Sequence, residues 1–222
     1  MDAPTSPSSR LEPSALLRER PVIAVLRADA ARDYDAVVDT LVECGIRSVE
    51  LTLTTPETIE HLPTLHRRVG AAAEIGVGTI TSEDQARRAI DAGADYLVTP
   101  ITRPSVIAEG LRAGVPVYPG ALTPTEVHAA WTAGATAVKI FPASTVGAEY
   151  GGHLRGPFPD LRFVPSGGVG LSDIEAWLRA GALAVSVGGP LVGDALRGGS
   201  LEDLRARATQ TVQLVDDLRV RS

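Results

Sequence analysis

The sequence lacks several residue patterns on which common functions are built. It contains one cysteine, Cys44, in 222 residues, so neither an intrachain disulfide nor a cysteine-built metal site is available. Cys44 falls in a helix-like stretch and reads as a small core residue. No apolar run approaches the roughly 20 residues of a membrane helix, and none of the four histidines, His61, His66, His128 and His153, shows paired ligand spacing, so no metal is expected. Clusters of basic residues are missing too. With Lys and Arg scattered singly and a net charge of −6, a nucleic-acid partner is not expected. The opening MDAPTSPSSRLE has neither the basic start nor the apolar stretch of a secretory signal. It reads as a flexible tail, residues 1–12, ahead of a single cytoplasmic domain at 13–222. What remains is small-molecule chemistry.

Short β-branched runs are plentiful: Val22 to Leu26, Val49 to Leu53, Ile75 to Val77, Tyr96 to Val98, Val115 to Tyr118, Ala137 to Phe141, Arg162 to Val164 and Leu183 to Val187. Segments with helical spacing, such as Tyr34-Val37-Val38-Leu41-Val42 and Ala86-Ala89-Ile90, lie between them. Strand followed by helix, eight times over, predicts a single α/β domain of the (β/α)8 TIM-barrel type, with a short N-terminal helix. The helix-to-strand joints repeat small-Gly-small, as in Cys44-Gly45-Ile46 and Thr132-Ala133-Gly134-Ala135, where a left-handed glycine ends a helix. The strand-to-helix joints are different. Thr54-Thr55-Pro56, Gly78-Thr79, Thr99-Pro100, Pro119-Gly120, Phe141-Pro142, Ser166-Gly167-Gly168 and Gly188-Gly189-Pro190 are expected to converge on one cleft at the C-terminal mouth, where barrel enzymes place their sites.

Lysine is as scarce as cysteine. The chain has 20 Arg and one Lys, Lys139, inside the apolar run Thr136-Ala137-Val138-Lys139-Ile140-Phe141. Arginine stays protonated at working pH, whereas a buried lysine can become a free amine and attack a carbonyl. A lone strand lysine therefore suggests a Schiff-base former; a lysine whose stem packs in the core and whose head finds a carboxylate is the alternative. In Ser48-Val49-Glu50-Leu51-Thr52-Leu53, alternation puts Ser48, Glu50 and Thr52 on one face, a candidate barrel interior. There Glu50 could move protons for an imine lysine, or form a stabilising ion pair with it. Ser166-Gly167-Gly168-Val169-Gly170, with Gly188-Gly189 after the last strand, has the form of a phosphate cradle; a pair of tight turns closing the barrel is the alternative, and Pro190 removes one N–H from any cradle. Arg27, closing the first strand, suits a carboxylate at the mouth or a surface salt bridge. His153 could border the cleft.

These pieces, together with Pro21 to Arg27, Gly76-Val77-Gly78-Thr79, Val98-Thr99-Pro100, Tyr118-Pro119-Gly120, Lys139-Ile140-Phe141-Pro142-Ala143 and Pro165 to Val169, resemble the 2-dehydro-3-deoxy-phosphogluconate (KDPG) and 4-hydroxy-2-oxoglutarate (KHG) aldolase family. The resemblance spans about Pro21 to Leu218. It implies a class I aldolase needing no cofactor, a homotrimer whose substrate is a small 2-oxo acid. The reaction it implies is cleavage of a 2-keto-3-deoxy-6-phospho-sugar acid to pyruvate and glyceraldehyde 3-phosphate, or of 4-hydroxy-2-oxoglutarate to pyruvate and glyoxylate. By position it implies Lys139 as the imine lysine and Glu50 as the general acid/base. Thr79 and Arg27 would meet the pyruvyl carboxylate, and Pro100 and Phe141 would shape the pyruvate pocket. Ser166, Gly167, Gly168, Gly188 and Gly189 would hold the distal phosphate. Three positions depart from the family pattern: Thr54 where some members have Arg, Ser166 where many have Thr, and Pro190 where some have Ser. On the residues alone two other readings stay open, a phosphate-binding barrel isomerase or synthase without an imine step and a non-catalytic ligand-binding barrel.

Overall fold

The computed structural model describes residues 10–220, and of Val220 only the backbone. Strands β1 (Val22–Leu26), β2 (Ser48–Thr52), β3 (Glu74–Gly78), β4 (Leu97–Val98) and β5 (Val117–Tyr118) lie in the order β5-β4-β3-β2-β1, all parallel, with β9 (Val185–Val187) on the far side of β1. A second parallel arc holds β6 (Gly120–Ala121), β7 (Val138–Ile140) and β8 (Phe163–Pro165). The two arcs are one barrel. Pro119, with no N–H to offer a ladder, splits the fifth stave into β5 and β6. At the other seam a bridge between Ser166 and Ser186, and a 2.9 Å bond from the Leu183 N–H to the Phe163 carbonyl, join β8 to β9. The expected eight-staved barrel is the fold, and the broken fifth stave is the detail that its apolar run did not show.

Helices follow the strands around the outside: α2 (Tyr34–Glu43), α3 (Thr58–Val69), α4 (Glu83–Asp91), α5 (Pro104–Ala113), α6 (Pro124–Thr132), α7 (Glu149–Arg155), α8 (Ile174–Arg179), the short α9 (Gly189–Val192) and α10 (Leu201–Val220). Local chemistry sets their ends. α6 begins at a capping box, in which the Thr123 hydroxyl accepts from the Glu126 N–H at 3.3 Å and the Glu126 carboxylate accepts from the Thr123 N–H at 2.9 Å. It ends at Gly134, whose φ of +100° is the left-handed turn expected there. α10 buries Leu204, Ala208 and Val215 and packs on α2, α8 and α9, so it covers the outside of its own barrel. No described helix is long and apolar enough to cross a membrane.

Alternation along the strands sorts side chains into two cores. Val49 and Leu51 of β2, Ile75 and Val77 of β3, and Val185 and Val187 of β9 face the helices, where they join the larger core. Ile23, Tyr96, Val98, Tyr118, Ala137, Val164 and Ala184 fill the barrel interior, and Leu17 of α1 (Ala15–Glu19) plugs it from below. Tyr96 and Tyr118 meet edge to face at 5.5 Å between centroids. They fit because β3 is small on its inner face: a Cβ on Gly76 would overlap the Tyr96 ring. The interior thus has an apolar floor beneath a polar upper layer. Of the expected tail at residues 1–12, residues 1–9 lie outside the described residues. Arg10 bonds the carbonyls of Ala135 and Trp131 and lies 3.4 Å from the centroid of the Trp131 ring, and Glu12 pairs with Arg162 at 2.6 Å.

Candidate active site

The polar layer is built from alternation. β2 directs Ser48, Glu50 and Thr52 inward, as its sequence predicts, and β7 directs Lys139 inward between the outward Val138 and Ile140. Both charged groups are almost out of solvent, Glu50 at 1% and Lys139 at 7% exposure. Lys139 Nζ stands 3.8 Å from Glu50 Oε1, an ion-pair separation longer than a hydrogen bond. The other carboxylate oxygen, Oε2, is buried without a hydrogen-bond partner among the described residues. A carboxylate so placed has an acceptor to spare for a third party.

β3 again makes the room. A Cβ on Gly78 would overlap the Glu50 carboxylate, so Gly78→Ala is expected to push that carboxylate off its position opposite Lys139. The outcome should be a loss of turnover well beyond any loss of pyruvate-adduct formation, measured by comparing steady-state kcat with borohydride trapping. Below this layer Glu74 accepts from the Ser48 hydroxyl at 2.5 Å, and burial pushes its carboxyl above the usual range. Burial first, then the carboxylates of Glu74 and Glu50, pushes the Tyr96 phenol well up. Its hydroxyl therefore stays neutral beneath the site.

A cavity of about 470 Å³ opens above Glu50 and Lys139 at the C-terminal ends of the strands. All eleven residues to which the family resemblance gives a role line it. Its lining includes Arg27, Thr79, Pro100 and Phe141, together with Ser166, Gly167, Gly168, Gly188 and Gly189 of the glycine-rich turns. The Phe141 ring centroid is 5.1 Å from Lys139 Nζ. Ser166 Oγ donates to Ser186 Oγ at 3.3 Å. Gly167 and Gly168 have φ of +83° and +74°, and a Cβ on Gly167 would press on the Phe141 ring at 2.9 Å. Thr79 has φ of +63°, a left-handed conformation that costs a β-branched residue on the order of 1–3 kcal/mol.

Two of the seven expected joints do not reach the cavity. Thr55 turns inward instead, its hydroxyl accepting from the Ala28 N–H at 2.9 Å and donating to the Ala28 carbonyl at 3.0 Å, which ties the loops after β1 and β2 together. Gly120 packs against the backbone of Pro100. His153 lies exposed on α7 and does not line the cavity. Sequence reasoning passed over Ser186, Val192, Leu196 and Arg197, all of which line it. The alternation Ala184-Ser186-Gly188 signals Ser186. Arg197 is one arginine among many in a segment beyond the last strand, and nothing local marks it.

Comparison with known proteins decides which family this barrel belongs to. The family model for KDPG and KHG aldolases matches residues 14–205. This chain belongs to that aldolase family. It is a class I aldolase, a carbon–carbon lyase. It is 33% identical over 199 residues to the probable 2-dehydro-3-deoxy-6-phosphogalactonate aldolase of Rhizobium meliloti, covering 89% of this chain and 92% of that one. It is 32% identical over 203 residues to the 2-dehydro-3-deoxy-phosphogluconate aldolase of Treponema pallidum, covering 90% and 96%. Among solved structures, the KDPG aldolase of Legionella pneumophila, with pyruvate captured as a covalent carbinolamine, superposes with a TM-score of 0.82 at 25% identity. That match covers 94% of this chain and 98% of the other. The aldolase fold and family are thus those that the sequence motifs imply.

Proposed function

We propose that this aldolase cleaves a 2-keto-3-deoxy-6-phospho-sugar acid to pyruvate and glyceraldehyde 3-phosphate, with Lys139 as the imine lysine and Glu50 as the proton carrier. The observation that carries the proposal is the buried pair itself: the only lysine of the chain, 3.8 Å from a carboxylate with one unpartnered oxygen, at the base of a cavity.

The steps balance on these two groups. The neutral Lys139 amine adds to the C2 carbonyl, and the carbinolamine loses its hydroxyl as water when Glu50, carrying a proton, gives it up. The resulting iminium draws the electrons of the C3–C4 bond as the Glu50 carboxylate takes the proton of the C4 hydroxyl. The aldehyde leaves. Glu50 returns that proton to C3 of the enamine, and water hydrolyses the iminium to pyruvate and free Lys139. Arg27 and Thr79 hold the pyruvyl carboxylate in this reading, Pro100 and Phe141 shape the pocket for the pyruvyl half, and the turns at Ser166-Gly167-Gly168 and Gly188-Gly189 receive the far end.

The gluconate and galactonate series differ only in configuration at C4 and give the same two products. Assaying each epimer separately for pyruvate release therefore tests the reading: turnover of either supports it, and turnover of neither, by protein that is folded, contradicts it. Assembly as a homotrimer and work in the cytoplasm belong to the same proposal, and light scattering of the full chain at three times the monomer mass tests the first.

A further inference from the structure

Among the described residues, four ionisable side chains line the active-site cavity: Arg27, Glu50, Lys139 and Arg197. Glu50 and Lys139 face one another and offset each other's charge. The guanidiniums of Arg27 and Arg197 have no ion pair or hydrogen bond to any described residue. Two uncompensated positive charges therefore border the cavity of a chain whose net charge is −6. Arg27 is needed beside the pyruvyl carboxylate, which leaves Arg197.

Its backbone is held in place. Arg197 ends the 3-10 turn Ala195–Arg197, in which Ala195 and Leu196 are buried at 8% exposure. The turn closes through the Arg197 N–H to the Asp194 carbonyl at 2.8 Å. From α10, Arg207 pins the preceding segment by donating to the carbonyls of Leu191 and Val192 at 2.7 and 3.0 Å. The side chain of Arg197 is thus a free guanidinium on a fixed base, beside the glycine-rich turns.

Past Gly189 the segment that follows β9 has few donors of its own. Pro190 has no N–H, the N–H groups of Leu191 and Val192 both go to the Gly188 carbonyl, and that of Gly193 goes to Gly189. An anion received by the N–H groups of the glycine turns therefore finds few further backbone donors past Gly189, and a side chain is left to meet its remaining oxygens. We infer that Arg197 binds the distal anionic group of the substrate and sets the preference of this enzyme for a substrate ending in a phosphate over one ending in a hydroxyl. A guanidinium forks onto two oxygens of a phosphate and finds no such match in a single hydroxyl.

The inference rests on the proposed aldolase activity, and one set of measurements separates the two. The ratio of kcat/KM for a 2-keto-3-deoxy-6-phospho-sugar acid to that for its unphosphorylated counterpart is measured for the wild type, Arg197→Gln and Arg197→Lys. Borohydride trapping of pyruvate in each serves as the check that the imine site is formed. Arg197→Gln should lower the ratio by about ten- to a hundredfold, as expected for loss of a charged hydrogen bond. The loss should appear in KM for the phosphorylated substrate rather than in kcat. Arg197→Lys, which keeps the charge without the fork, should recover part of it. A ratio unchanged in Arg197→Gln, with pyruvate still trapped, overturns the role of Arg197 and leaves the aldolase standing. A wild type that traps no pyruvate overturns the aldolase reading and this inference with it.

Discussion

Lys139→Arg is expected to abolish pyruvate trapping and to lower turnover by on the order of 10⁴-fold or more, the scale on which removal of a covalent nucleophile is felt. The change keeps a positive charge opposite Glu50, so it spares the protein an unpaired buried carboxylate, whose exposure to that fate costs roughly 3–5 kcal/mol. What it removes is the ability to become a neutral amine, because a guanidinium holds its proton at any working pH. Activity and stability should therefore part company: turnover lost, with the thermal midpoint close to wild type. If Lys139 were only a structural partner for Glu50, the substitution would leave turnover nearly intact.

Glu50→Gln carries the second large effect. The amide keeps the shape that Gly78 makes room for, yet it cannot carry a proton between the C4 hydroxyl and the enamine carbon. Loss of a positioned acid/base costs about 10²–10⁴-fold. The loss should fall on kcat, with substrate affinity changing far less, and pyruvate should still be trapped on Lys139, only more slowly. The hydrogen–deuterium exchange of the pyruvate methyl group gives a direct reading, since in the proposed mechanism that proton passes through the same carboxylate. Unchanged exchange would remove Glu50 from the mechanism.

Much of this site was legible in the residues, for reasons that are local. Val49-Glu50-Leu51 and Val138-Lys139-Ile140 put one charge between two apolar neighbours, and a period of two can only send that charge to the opposite face. In a closed barrel that face is the interior, which is why Glu50 and Lys139 end up together although they are far apart in sequence. Scarcity helped as well, because a chain that uses arginine for ordinary charges makes its one lysine conspicuous. Glycines at Gly167 and Gly168 marked turns that only a left-handed backbone makes.

Other features depend on pairings that no local pattern encodes. The seam between β8 and β9 is a property of the sheet as a whole. Arg10 meets Trp131 and Ala135 across more than half the sequence. Arg197 lines the cavity from a loop that is held by Arg207 and by the buried Leu196. In each case a long-range contact decides what the local residues leave open.

The most direct measurement is borohydride reduction of the full chain in the presence of pyruvate, followed by intact mass and peptide mapping. The account predicts one reduced pyruvyl adduct per chain, on the peptide that contains Lys139, and none in Lys139→Arg. Folded protein that gains no such mass, or that carries the adduct elsewhere, would contradict it.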